Sequence, residues 1–505
     1  MHPGAHDPDR AAVVMAESGE TVSYGELESR SAQLARFWHE QGLRKGDHVG
    51  ILLENHARYF EVVWAALRSG LYYTPINRHL TAAELAYVVE NSGARSLVTS
   101  RARADQVRDL KVEIPLMIDG TIDHWPPYEE TIDAYPSDPL PDQPCGHGMF
   151  YSSGTTGRPK GILFPLPERE VTDDDPMVMN GGPLGLADGC VYLLPAPLYH
   201  TSPVVTGALC HRYGGTVVVM EKWDAAACLA AIERYQVDVA QFVPTMFVRL
   251  LKLPADERDA HDLRSLRHVS HAAAPCPIEV KKRMIDWWGP ILLEFYAGSE
   301  NVGSTMITSE EWLAHPGSVG LPRFCTTHIC DDDFSPLPVG EIGNVWFDTP
   351  GASMEYHDDP EKTAENRSPQ GWYTMGDVGR LDDDGYLYLT DRKTFMIISG
   401  GVNIYPQEAE NILINHPAVF DVAVIGVPND DLGEEAKAVV QLTDGHGPSA
   451  DLETALLAYC GDHLARFKCP RSIDFVDALP REDSGKLYKR RLRDRYWAAQ
   501  DSRII

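Results

Sequence analysis

The chain reads as an α/β protein in two units, and three patterns along its 505 residues carry that reading. Strand-like and helix-like segments alternate from the Ser23 capping box to the helix capped at Thr81–Glu84, and a second series with the same rhythm runs from Val191 to Leu253. From about Lys393 the pattern changes to that of a compact α+β unit. A chain of this length exceeds what one hydrophobic core holds, so at least two domains are expected.

The elements follow in order. Ser23-Tyr24-Gly25-Glu26 has the form of a capping box, and Leu27, Leu34 and Trp38 share a face of the helix it opens. Val49 to Leu53 is strand-like, a second helix covers Tyr59 to Leu67, and Tyr72, Tyr73 and Ile76 form a short strand. Thr81-Ala82-Ala83-Glu84 caps another helix. Residues 120–148, rich in Pro and Asp and without periodicity, predict a surface connection. Glu168 to Asp175 and the turn cluster Asn180-Gly181-Gly182-Pro183 predict an exposed excursion. Buried strands are expected at Val191 to Leu194, Thr216 to Met220 and Val237 to Val243, with helices at Ala225 to Tyr235 and Thr245 to Leu253. From Gly317 to Leu389, short β-rich runs such as Ile342 to Phe347 and Tyr386 to Leu389 alternate with Asp, Gly and Pro. They predict a small barrel-like or distorted β unit. In the last unit, Val422 to Ile425 and Ala438 to Leu442 read as strands, and Leu452, Leu456, Leu457 and Leu464 as one face of a helix.

A net charge of −29 argues against a nucleic-acid-binding surface. No apolar run reaches the roughly 18 to 20 residues of a membrane span, and Asp7, Asp9, Glu17 and Glu20 interrupt the N-terminus where a signal peptide would be apolar. The nine cysteines include no Cys-x-x-Cys pair, which fits reduced thiols and a cytoplasmic protein. Cys325, His328 and Cys330 lack a fourth ligand at zinc-site spacing.

The chemistry begins at Tyr151-Ser-Ser-Gly-Thr-Thr-Gly-Arg-Pro-Lys-Gly161. Gly154, Gly157 and Gly161 allow backbone N–H groups to approach an anion; Ser152, Ser153, Thr155 and Thr156 add hydroxyls, and Lys160 a positive charge. The glycine spacing is not that of the common nucleotide loop, and Gly161 replaces the hydroxyl expected after the lysine. Further on, Tyr296-Ala297-Gly298-Ser299-Glu300 ends an apolar run, where α/β proteins place ligands. Ala272-Ala273-Ala274-Pro275 offers small side chains. Trp372-Tyr373-Thr374-Met375-Gly376-Asp377 ends in a carboxylate able to accept from two hydroxyls. Asp391-Arg392-Lys393-Thr394 precedes Ser399-Gly400-Gly401, and Pro480 to Lys486 precedes a run of basic residues. Taken singly, each has a plainer reading: a polar turn, a small-residue packing site, a solvated tail.

Taken together and in this order, the motifs resemble the acyl-adenylate-forming enzymes, which include acyl-CoA synthetases, luciferase and the adenylation domains of peptide synthetases. The resemblance implies a large N-terminal domain of two α/β sheets plus a β unit, residues 1–391, and a smaller hinged C-terminal domain, residues 392–505. It implies ATP, Mg²⁺ and coenzyme A as ligands beside a small-molecule carboxylate. Tyr296 would stack on adenine, which also lies along Ala273, Ala274 and Pro275; the Ser299 hydroxyl would stand near the α-phosphate, and Ala297 and Gly298 would belong to the same nucleotide site. Glu300 would hold Mg²⁺, Asp377 the ribose hydroxyls, and Arg392 ribose or phosphate. Lys486 would be the catalytic lysine of adenylation, assisted by Thr155 and His200. Tyr199, His200, Phe242, Val243 and Thr245 would line the acid pocket. Ser399, Gly400 and Gly401 would form part of the coenzyme A tunnel after rotation about Lys393 and Thr394. The chain departs from the family at Ala297, Ser299 and Thr394, where Gly, Thr and Asp or Lys are usual. The implied activity is acid–CoA ligation through acyl-AMP, with a bulky fatty, aromatic or steroid-like acid. Transfer to a carrier protein and a catalytically dead binding fold are the alternatives. Oligomeric state stays open, a homodimer included. The last motif is similar to one acetylated in related ligases, so a lysine acetyltransferase acting on Lys486 would remove its charge.

Overall fold

The computed structural model describes residues 1–152, 159–176, 178–482 and 485–497. Among these, a five-stranded parallel sheet is ordered Ile114–Ile118, Ala94–Ser100, His48–Leu52, Tyr72–Pro75, His147–Gly148. A nine-stranded sheet follows, whose central strands Thr216–Val219, Val191–Leu194, Val239–Phe242, His268–His271 and Leu292–Ala297 are parallel. Both capping boxes form: Ser23 and Glu26 start the helix Tyr24–Glu40, and Thr81 and Glu84 start Ala82–Asn91. Each closes two backbone donors that the first helical turn leaves open. The helices Tyr59–Leu67 and Ala225–Tyr235 have the bounds expected from periodicity.

The β unit is a four-stranded antiparallel sheet of Thr326–Cys330, Gly343–Asp348, Asp377–Leu381 and Leu387–Arg392. A separate sheet begins immediately afterwards. Its centre is the long antiparallel pair Val419–Asn429 and Gly433–Leu442, flanked by Ile397–Ser399 and by Ser472–Val476. Leu456 and Cys460 of the helix Ala450–Gly461 close a hydrophobic core over it.

One expectation needs correction and a second gains detail. Residues 120–148 are not a mere surface connection: Trp125, Tyr128 and Ile132 are fully buried, and the helix Tyr128–Asp133 packs on Tyr24–Glu40. The segment lacks periodicity because a single short turn of helix, inserted between prolines, supplies its apolar anchors. The acidic stretch from Glu168 to Asp175 is exposed at Glu168 and at residues 172–174, as expected, but it is anchored at two points. Val171 is fully buried, and Asp175 pairs with Arg169 and Arg212 at 2.8 and 2.9 Å. Asn180-Gly181 closes a short helix, Val178–Gly181, rather than belonging only to a turn.

Tyr128 also completes a buried polar cluster. Glu61, without solvent exposure, accepts from Tyr128 Oη at 3.0 Å, Arg30 Nε at 3.0 Å and Arg58 Nη1 at 2.9 Å. Burial raises the carboxyl's pKa, and the two guanidiniums oppose that rise. Removing this buried anion leaves Arg30 and Arg58 with only the more exposed Asp133 and Glu129 as carboxylate partners among the described residues. Glu61→Ala is therefore expected to lower stability by about 3 kcal/mol, read as a shift in the urea midpoint followed by tryptophan fluorescence; an unchanged midpoint would refute this account of the cluster.

Candidate active site

The site assembles where three strand ends from two sheets meet the C-terminal unit. Tyr296 and Ala297 end the strand Leu292–Ala297, Asp377 begins Asp377–Leu381, and Arg392 ends Leu387–Arg392. Antiparallel pairing sets Asp377 directly opposite Arg392. Across this pair, Tyr296 Oη donates to Asp377 Oδ2 at 2.5 Å and Arg392 Nε approaches Asp377 Oδ1 at 3.3 Å. Burial raises the Asp377 pKa, with Arg392 pulling the other way. The result is a buried carboxyl fixed by one hydroxyl and one guanidinium.

Gly298 lies close under two side chains: a Cβ there would come within 2.5 Å of Met375 Sδ and 2.6 Å of Glu300 Oε2, so both would have to shift to admit one. Glu300 Oε1 accepts from Tyr356 Oη at 3.0 Å, and Tyr356 Oη in turn accepts from Asn366. Lys160 stands nearby, 3.1 Å from Asp359 and over the Tyr356 ring at 5.7 Å. Ser299 Oγ lies 2.9 Å from Thr201 Oγ1, which ties this turn to the start of the helix Thr201–Arg212. His200, immediately before that helix, points Nε2 at Glu482 Oε2, 3.5 Å away in the C-terminal unit.

Lys486 reaches the same place. It keeps solvent-accessible surface in the cleft, but the protein around it removes enough water to lower its pKa below that of an ordinary lysine. Arg392 lowers it further, against the pull of Glu482 and Glu300. Gly485, at φ +82, holds the backbone so that Thr245 presses against the position a Cβ would occupy. Thus Lys486, Arg392, Glu300, Asp377 and Tyr296 converge from widely separated segments.

The family described as AMP-binding enzyme matches residues 2–357, and the one described as AMP-binding enzyme C-terminal domain matches residues 408–486. The chain belongs to the AMP-binding enzymes. Among curated relatives, feruloyl-CoA synthase of an Amycolatopsis species is 35% identical over 96% of this chain and 96% of its own length. Fatty acid–[acyl-carrier-protein] ligase ScoC of Streptomyces coeruleorubidus is 30% identical over 97% and 94%. The solved structure of amide bond synthetase McbA from Marinactinospora thermotolerans superposes with a TM-score of 0.79 at 28% identity, covering 96% of both chains.

In this AMP-binding enzyme, the remaining expected residues have these surroundings. Phe242 faces the core rather than the helix of His200: it is buried against Phe247 and Trp288, with ring centroids at 5.6 and 5.5 Å. Strand alternation turns its neighbour Gln241 the other way, where Gln241 Oε1 accepts from Tyr192 Oη and Ser202 Oγ at 3.3 and 3.1 Å. Val243 packs partly buried on the same core as Phe242, and Thr245 meets Gly485. Tyr199 lies beside His200, ring centroids 4.3 Å apart. Ala273 adopts φ +75 within the exposed run of Ala273, Ala274 and Pro275.

Ser399, Gly400 and Gly401 form the hairpin between Ile397–Ser399 and Val402–Ile404, and Gly400 N–H donates to the Leu432 carbonyl at 2.9 Å. Their contacts lie in the C-terminal sheet, apart from the Lys486 cluster. Lys393 pairs with Asp332 at 2.6 Å, and Thr394 lies in the 3₁₀ turn Lys393–Phe395. Ser153, Gly154, Thr155, Thr156 and Gly157 lie outside the described residues, as does the side chain of Ser152. Tyr356, Asp359 and Gln241 escaped sequence reasoning. Tyr356 and Asp359 are in no motif, and Gln241 sits one position from a residue assigned to the pocket.

No helix among the described residues is long and apolar enough to cross a membrane, and no group of three or more metal-ligating side chains is found among them.

Proposed function

We propose that this AMP-binding enzyme is an ATP-dependent carboxylic acid–CoA ligase. The observation that carries the reading is the convergence of Lys486 and Arg392 with Glu300 and the Asp377–Tyr296 pair. The substrate carboxylate attacks the α-phosphorus of ATP, pyrophosphate leaves, and acyl-AMP remains. Asp377 accepts from the ribose hydroxyls, and Tyr296 lies against the base. Lys486 and Arg392 face the negative charge that grows on the α-phosphoryl oxygens, which lowers its energy most in the transition state. Lys160 and the phosphate loop hold the β- and γ-phosphates.

Glu300 suits Mg²⁺: it is a hard oxygen donor oriented by Tyr356, and the lack of a three-ligand cage among the described residues fits a metal held chiefly by phosphates and water. When bound, that ion neutralises charge on the triphosphate.

In the second half-reaction the thiol of coenzyme A attacks the acyl carbon and AMP leaves. The C-terminal domain, residues 392–505, turns about Lys393 and Thr394 and carries Ser399, Gly400 and Gly401 to the cleft in place of Lys486. Acetylation of Lys486 would remove the charge adenylation needs.

For the acid, an aryl substrate with an oxygen substituent is favoured over a plain alkyl chain. Gln241 is buried, and its Nε2 has no partner among the described residues. Such an orphan amide costs about 1 to 3 kcal/mol unless a ligand oxygen accepts from it. The likeness to a feruloyl-CoA synthase points the same way. Transfer to a carrier protein is the second reading, favoured by the likeness to ScoC.

Pyrophosphate release with Mg·ATP should be measured over fatty, aryl and steroid-type acids, with and without coenzyme A. Sustained turnover only with coenzyme A and an oxygenated aryl acid is the expected result. Turnover that coenzyme A does not stimulate would move the acceptor to a carrier protein or an amine.

A further inference from the structure

The helix Pro244–Lys252 touches the C-terminal unit at both ends. Near its start, Thr245 packs on Gly485. At its end, Lys252 Nζ donates to the carbonyls of Val419 and Phe420, at 2.9 and 2.7 Å, and stands 4.8 Å from the Phe420 ring centroid. The seven-residue step from Thr245 to Lys252 spans about 10 Å of helix.

Inside the C-terminal unit the same two points are joined by a chain of charge-assisted bonds. Asp421, next after Phe420, takes a bidentate pair from Arg481, with Nε on Oδ2 at 2.5 Å and Nη2 on Oδ1 at 2.7 Å. Arg481 Nη1 donates to the Gly485 carbonyl at 2.6 Å. The loop closes at the residue before Lys486. Planar guanidinium geometry makes the Asp421–Arg481 pair stiff, so a tug on the Val419–Asp421 segment is passed to the Gly485 carbonyl.

From this closed frame we infer that Lys252 is a positioning residue for adenylation: it docks the C-terminal unit on the helix Pro244–Lys252 and, acting through Asp421, Arg481 and Gly485, keeps Lys486 in the cleft. The inference rests on the ligase reading above. Lys252 is remote from the reacting atoms in its contacts. It also has no part in the orientation that would present Gly400 and Gly401, because that orientation requires its two carbonyl bonds to break.

Lys252→Ala, Lys252→Arg and, as a control, Lys282→Ala, whose ammonium pairs with Glu279 on the helix Ile278–Trp288, should be compared in the two half-reactions separately. For Lys252→Ala, acid-dependent ATP–pyrophosphate exchange is expected to fall about fivefold in kcat with little change in KM for ATP. Thioester formation from supplied acyl-AMP and coenzyme A should be unchanged or faster. Lys252→Arg, which can still donate to carbonyls, should recover most of the exchange. Equal losses in both halves would mean general damage and overturn the inference, as would no loss in either. Hydrogen exchange separates this failure from failure of the ligase reading. Even with no detectable turnover, amides of residues 245–253 and 417–424 should exchange faster in Lys252→Ala than in Lys282→Ala, and identical exchange overturns the docking role.

Discussion

Lys486→Ala is expected to lower the rate of acyl-AMP formation by roughly 10²- to 10³-fold, the usual effect of deleting one preorganised group that faces transition-state charge. Thioester formation from supplied acyl-AMP should change little, since the proposed second orientation withdraws this side chain. Equal loss in both half-reactions would remove Lys486 from its assigned role. The pH profile adds an independent check. Adenylation needs the ammonium form, and burial and Arg392 lower the pKa of Lys486. The charged form is complete well below that lowered pKa and is lost as pH rises through it. The alkaline limb of the adenylation rate should therefore fall earlier than an ordinary lysine, at about pH 10.4, would make it, and the acyl-AMP-dependent half should lack that limb.

Asp377→Ala should raise KM for ATP by roughly 10- to 100-fold, because hydrogen bonds to a charged acceptor are worth about 1.5 to 3 kcal/mol. It also strips Arg392 of its counter-ion and Tyr296 Oη of its acceptor. Asp377→Asn keeps an oxygen for Tyr296, so its effect should be smaller. Steady-state kinetics at saturating acid would read the difference. An unaltered KM in both variants would show that ribose is held elsewhere.

Local signals were the ones legible in the sequence. Ser23 with Glu26, and Thr81 with Glu84, form boxes whose partners are three residues apart, so nothing distant had to be known. Tyr296, Glu300, Asp377, Arg392 and Lys486 were legible through motif order, while their meeting depends on pairing between strands far apart in the chain. What escaped was decided by tertiary context. Trp125, Tyr128 and Ile132 owe their burial to the helix Tyr24–Glu40 and to Glu61, and an aperiodic stretch carries no trace of that. Tyr356 finds Glu300 across 56 positions. Phe242 and Gln241 alternate along one strand, so the packing of Phe242 on Phe247 and Trp288 and the polar contacts of Gln241 with Tyr192 and Ser202 were set by neighbours distant in the chain.

Arg392 is at once the last residue of the Leu387–Arg392 strand, the partner of Asp377 and the neighbour of the Lys393–Phe395 turn. If Asp377 holds ribose, nucleotide affinity and domain orientation become thermodynamically linked at this one side chain. Linkage is reciprocal: whatever factor the nucleotide contributes to favouring one orientation, that orientation returns to nucleotide affinity. Release of AMP and resetting of the hinge would then be two readings of one free energy, and a substitution that loosens the pivot would be felt as weaker nucleotide retention even though it touches no part of the nucleotide.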